Sequence, residues 1–102
     1  MDPVVKSILT TPESVAFEKI TEHMVQTFIR KNHDYGNSFF EDLEDENDLG
    51  PARYAIGNKW RRFKQLSMNK DAQVDESIED TLLDMANYCV MTLMWLQDRK
   101  HE

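Results

Sequence analysis

The sequence predicts an all-α fold, and three observations carry that prediction. Apolar residues recur at helical spacing through long segments, no stretch alternates with the period of two that a half-buried strand requires, and helix-start signals stand ahead of the segments. The expected architecture is a compact bundle of three long helices plus a short one, forming a single domain over residues 1–102 and completed by oligomerisation.

The first helix opens at Thr11-Pro12-Glu13, with Thr11 as cap, Pro12 at the first helical position and an acid in the first turn. It should run to about His33 and bury Phe17, Ile20, Met24 and Phe28 as one stripe, with Glu18 and Glu22 together on a flank. Gly36, within Asp34-Tyr35-Gly36-Asn37-Ser38, can take the left-handed conformation that ends helices. Residues 39–49, FFEDLEDENDL, set six acids among Phe39, Phe40, Leu43 and Leu49. Such acid density reads as a short helical turn inside a mobile loop.

Gly50-Pro51 restarts a helix, and Ala52, Ile56, Trp60, Phe63 and Leu66 make its apolar stripe to about Met68. Lys59 falls inside that stripe, Arg62 at its edge, and Arg61 points away. An inward lysine calls for a counter-charge. Residues 69–74 form the connection, and Asp75 or a neighbour caps the last helix, which should run to Asp98 or Arg99.

That last helix carries the densest chemistry. Glu76, Asp80 and Asp84 stand at i, i+4 and i+8, and no basic residue occurs between Asp75 and Asp98. Ile78, Leu82, Met85, Ala86, Cys89, Leu93 and Leu96 occupy one broad face, extended by Leu83, Val90 and Met94, while Asn87 and Met91 continue the acidic flank. Trp95 falls on what should be the exposed side. One small bundle can scarcely cover so much apolar surface, which predicts a homo-oligomer. Inward carboxylates are costly without a cation, a donor or a metal. Lys59 and Arg62 can supply the cation across the connecting turn, giving a polar seam inside an apolar bundle. Two readings of the seam stay open: a structural ion-pair network, or a site where acids one turn apart share a Mg²⁺ and the basic residues hold phosphate.

Composition narrows the partners. A net charge of −7 and a pI near 4.9 argue against a duplex-binding protein, whereas a nucleotide carried with its own Mg²⁺ is compatible. Cys89 is the only cysteine, which excludes an intrachain disulfide or a cysteine zinc site and suits a reducing cytoplasm. His23, His33 and His101 share no metal-ligand spacing. The start of the sequence lacks the pattern of a signal peptide, and the apolar run from Tyr88 to Leu96 is far short of the roughly 20 residues of a membrane span.

KNHDYGNSF (Lys31 to Phe39), the spaced Lys59 and Arg62, and ESIEDTLLDMANY (Glu76 to Tyr88) together resemble the nucleotide modification associated domain of phages and bacteria. The resemblance covers about two thirds of the chain and implies a small helical protein of nucleotide or modified-base metabolism. DTLLDMANY is also similar, more distantly, to the second acidic helix of MazG-type all-alpha nucleotide pyrophosphohydrolases. Those are Mg²⁺-dependent oligomeric bundles that cleave nucleoside triphosphates to monophosphate and pyrophosphate. This second likeness implies Asp80 and Asp84 as ligands to Mg²⁺ or Mn²⁺, with Glu76 beside them, and Lys59 and Arg62 on phosphate; either Glu18 and Glu22 supply further ligands from the first helix, or the site binds nucleotides without hydrolysing them. Beyond what the likeness implies, the expected roles are Glu22 or Glu76 orienting the attacking water and Asp34, Tyr35 and Asn87 contacting the nucleotide. The chain departs from that pattern where Asn58, Lys59 and Arg62 replace an E-x-x-E motif and Thr81 replaces a glutamate. The competing expectation is a non-enzymatic regulatory or interaction protein of phage type whose seam only fixes packing.

Overall fold

The computed structural model describes residues 2–5, 10–68 and 77–99, the side chain of Tyr35 excepted. Most of these residues are helical, and none of them lies in a strand. Helix α1 spans Pro12–Tyr35, α2 Ser38–Glu46, α3 Gly50–Met68 and α4 Ile78–Arg99, which is the expected set of three long helices and a short one. By internal contacts the chain divides into two units, Met1–Asp34 and Tyr35–Glu102.

The first unit is built on α1. Its start is reciprocally capped: the Ser14 N–H donates to Thr11 Oγ1 at 3.0 Å and the Thr11 N–H to Ser14 Oγ at 2.8 Å. Pro12 occupies the first helical position because its missing N–H has no helical partner there in any case. The helix runs two residues past His33, and Gly36 follows it at φ +70°. One expectation is corrected here. Phe17 and Ile20 are 72% and 56% exposed, and only Met24 and Phe28 of the apolar stripe are half-buried. Helical periodicity marks which side of a helix is apolar, and a neighbouring element must still meet that side to bury it.

In the second unit α3 packs along α4, and α2 lies against both. The core is Leu43, Ala52 and Trp95, each at most 3% exposed, with Phe39, Phe40, Leu49, Ile56 and Leu96 around it. Thus the short helical turn expected inside a mobile acidic loop is a full nine-residue helix, and it supplies the most buried side chain of this core. Its apolar residues, Phe39, Phe40 and Leu43, sit at i, i+1 and i+4 on one side, and its acids are exposed around the rest of the helix. Asn47 then closes the helix in the left-handed conformation (φ 50°), its N–H bonded to Glu44 O at 3.2 Å.

Helix α4 is capped by Ser77, whose Oγ accepts the Asp80 N–H at 2.9 Å; Asp75, the first expected cap, lies outside the described residues together with Glu76 and the connection 69–74. The side that α4 turns inward also differs from expectation. Thr81 is fully buried, Tyr88 is half-buried and Trp95 is 3% exposed, three residues spaced by sevens on one line of the helix. Trp95 donates from Nε1 to Glu44 Oε1 at 2.7 Å, while Arg99 covers its ring with the guanidinium carbon 4.5 Å from the centroid. Ile78, Leu82, Val90 and Leu93, assigned from periodicity to the buried side, are 38–56% exposed, and Cys89 is exposed beside them. On α3, Trp60 likewise leaves its expected place: it is 49% exposed, stacked on Phe63 at 5.7 Å with Lys64 over its ring.

Candidate functional site

The helix hairpin α2–α3 encloses the site. Its turn, residues 47–49, is held by the Arg53 N–H to Leu49 O bond (2.9 Å) and by the Arg53 guanidinium on Asp48 (3.1 Å). From this closed end the two helices form an open groove of about 900 Å³. Ser38, Phe39, Asp42 and Glu46 form the α2 wall. They recur at i, i+1, i+4 and i+8, one helical face. The α3 wall begins with Gly50 and Pro51 and continues through Tyr54, Asn58, Lys59 and Arg62, again one face. Tyr88 of α4 closes the side, its ring 5.1 Å from that of Phe39.

Lys59 anchors the basic part of the groove. Its Nζ lies 3.1 Å from Asp84 Oδ2 of α4, and the two side chains are only 23% and 22% exposed. The ion pair therefore sits in a crevice, where screening is weaker than in open solvent. It leaves Lys59 at the groove lining with Arg62 one turn further on. Asn58 joins them; Arg61 Nη2 donates to its Oδ1 at 2.8 Å, which fixes the amide and directs Arg61 to the helix's own surface. Two cations and an amide converging at one end of a groove favour an anion of phosphate type.

Residues 31–96 match a family model described as nucleotide modification associated domain 1, well over half of the chain. The chain belongs to that family. No match was found among curated proteins or among solved structures. The matched span of this nucleotide modification associated domain contains α2, α3 and nearly all of α4, and hence every residue of the groove.

The residues singled out in sequence fall into four groups. Lys59 and Asp84 are in contact, and Arg62 lines the same groove. Asp80 is exposed in the first turn of α4 and Asn87 is half-buried one turn beyond Asp84, neither of them in the lining. Glu18 and Glu22 are exposed on α1, and Asp34 at its end has Oδ1 3.2 Å from His33 Nδ1, all within the first unit. Glu76 and the Tyr35 side chain lie outside the description. The expected Mg²⁺ ligands do not form a cage among the described residues: no three His, Cys, Asp or Glu side chains converge, and the Asp84 carboxylate is engaged by Lys59. Sequence reasoning missed Tyr54, Asp42 and Glu46 in the groove. The i, i+4 spacing of the two acids is visible in the sequence, but in so acidic a segment that spacing equally fits a solvated face, and only the packing of α2 against α3 makes it a wall.

No described helix is long and apolar enough to cross a membrane.

Proposed function

We propose that this domain binds a nucleotide in the α2–α3 groove, with phosphate on Lys59, Arg62 and Asn58 and the nucleoside toward Tyr54 and Phe39. The observation that carries this reading is the half-buried Lys59, held by Asp84 on one side and opening with Arg62 onto a concave surface that also presents aromatic rings. Membership of a family named for nucleotide modification supports the ligand class. A chain of net charge −7 repels a bare polyphosphate, so a triphosphate would enter with Mg²⁺ or Mn²⁺ bound to its own oxygens.

The finer form of the reading is hydrolysis of the phosphoanhydride, in the manner of MazG-type pyrophosphohydrolases. Lys59 and Arg62 would stabilise charge developing on the phosphates, and a carboxylate of the acidic helix, Glu76 in that likeness, would orient water. Its support is the similarity of DTLLDMANY to the second acidic helix of those enzymes. The exposed apolar side of α4 supports self-association, which sedimentation equilibrium would read.

A second reading has an observation of its own. The Lys59–Asp84 pair joins the two most extensively packed helices, as a purely structural clamp in a regulatory or interaction protein would. Calorimetry with mono- and triphosphates of the common bases, with and without Mg²⁺ or Mn²⁺, and with pyrophosphate release followed in parallel, separates the two. Binding that weakens in Arg62→Ala with the fold intact supports the nucleotide site; absence of any binding leaves the clamp.

A further inference from the structure

The groove is charged oppositely at its two ends. Glu46 and Asp42 stand toward the closed end, where the Glu46 carboxylate leans over Gly50 so closely that a Cβ there would meet its Oε2 at 2.5 Å. Lys59 and Arg62 lie nine and twelve residues along α3 from Gly50, about 14–18 Å of helix rise away from that end. Both carboxylates are exposed to the groove, and among the described residues no ion pair takes up either of them. Tyr54, 70% exposed, stands on the wall between the two ends.

An acidic wall is a poor neighbour for phosphate and for a base edge made of carbonyls, because lone pairs would face carboxylates with no proton between them. It suits an edge that presents adjacent N–H donors. We infer that the groove selects nucleotides by the N–H donors of the base, guanine above all, with Asp42 and Glu46 accepting from N1–H and the 2-amino group while Lys59 and Arg62 hold the phosphate. This rests on the nucleotide-site reading and adds the orientation and the base. Tyr54 offers its ring to the base face in that pose, since a base directed to the closed end passes along it.

Inosine monophosphate is the discriminating probe, because it differs from guanosine monophosphate only by the missing 2-amino group. Titration calorimetry on the full chain should show guanosine monophosphate bound roughly tenfold more tightly than inosine or thymidine monophosphate, the ordinary worth of a hydrogen bond to a charged group. In Asp42→Asn and Glu46→Gln, with folding checked by circular dichroism, the ratio should fall toward one while thymidine monophosphate binds as before or better. Arg62→Ala should weaken all three ligands alike. Equal affinities in the wild type, or a ratio unchanged in both amide variants, overturn the base assignment and leave the nucleotide site standing. No binding of any nucleotide removes both.

Discussion

Trp95 and Glu44 are joined by a 2.7 Å hydrogen bond across 51 residues of sequence, from the buried side of α4 to the acidic helix α2. That contact sets which side of α4 faces the core and gives α2, a helix of nine residues, a fixed place in the second unit. Trp95→Phe keeps most of the ring and removes the donor, and should cost about 1–2 kcal/mol in urea unfolding followed by circular dichroism. Trp95→Ala should cost about 3–5 kcal/mol. Glu44→Gln, which retains an acceptor, should stay within about 1 kcal/mol of wild type; a larger loss would show that the carboxylate's charge and not the hydrogen bond holds the helix.

Leu43 is fully buried in the only short helix of the described second unit. Leu43→Ala should cost about 2–5 kcal/mol, the range for deleting a core leucine side chain. If its unfolding midpoint matches that of wild type, α2 is not part of the cooperative unit.

The Lys59–Asp84 pair is just under a quarter exposed, so its worth is discounted from that of a fully buried pair. Asp84→Asn and Lys59→Met should each destabilise by about 1–2 kcal/mol, and the double variant should recover part of the sum because no uncompensated charge is left. A coupling energy of zero in this double-mutant cycle would mean the two charges meet without stabilising α3 against α4.

Arg62 is exposed and lines the groove, so Arg62→Ala should leave the helical fold intact by circular dichroism. Nucleotide affinity should fall roughly tenfold, the scale of one charge-assisted phosphate contact. The affinity of the variant should also depend less steeply on salt than that of the wild type. Unchanged affinity would move the phosphate out of this groove.

Asp48 supplies a pH signature. The Leu49 backbone N–H and then the Arg53 side chain hold its carboxyl below the usual 3.8. A carboxyl whose folded pKa is depressed contributes its stabilisation fully above 3.8 and loses it as pH falls from there through the lower folded value. Urea unfolding of Asp48→Asn at several pH values should therefore approach the wild type below pH 3.8 and lie beneath it above. Parallel profiles across that window would remove Asp48 from the turn's energetics.

Much of this was readable from residues alone. Thr11-Pro12 at the head of α1, Gly36 after its end and Gly50-Pro51 at the head of α3 are local signals, and each acts where it stands because capping and φ preference involve only nearby backbone. Lys59 inside an apolar stripe required an acid opposite, and Asp84 meets it. What sequence left open was the phase of α4. That helix is apolar around most of its circumference, so several orientations bury similar area, and periodicity alone does not choose among them. Tertiary contact chose the line Thr81–Tyr88–Trp95, because Glu44 could receive the indole N–H there and Lys59 could reach Asp84. It also made a helix of the acidic segment, whose own charge density opposes folding until Leu43 has a core to enter. The groove follows from both choices, since its walls are faces of helices that only packing aligned.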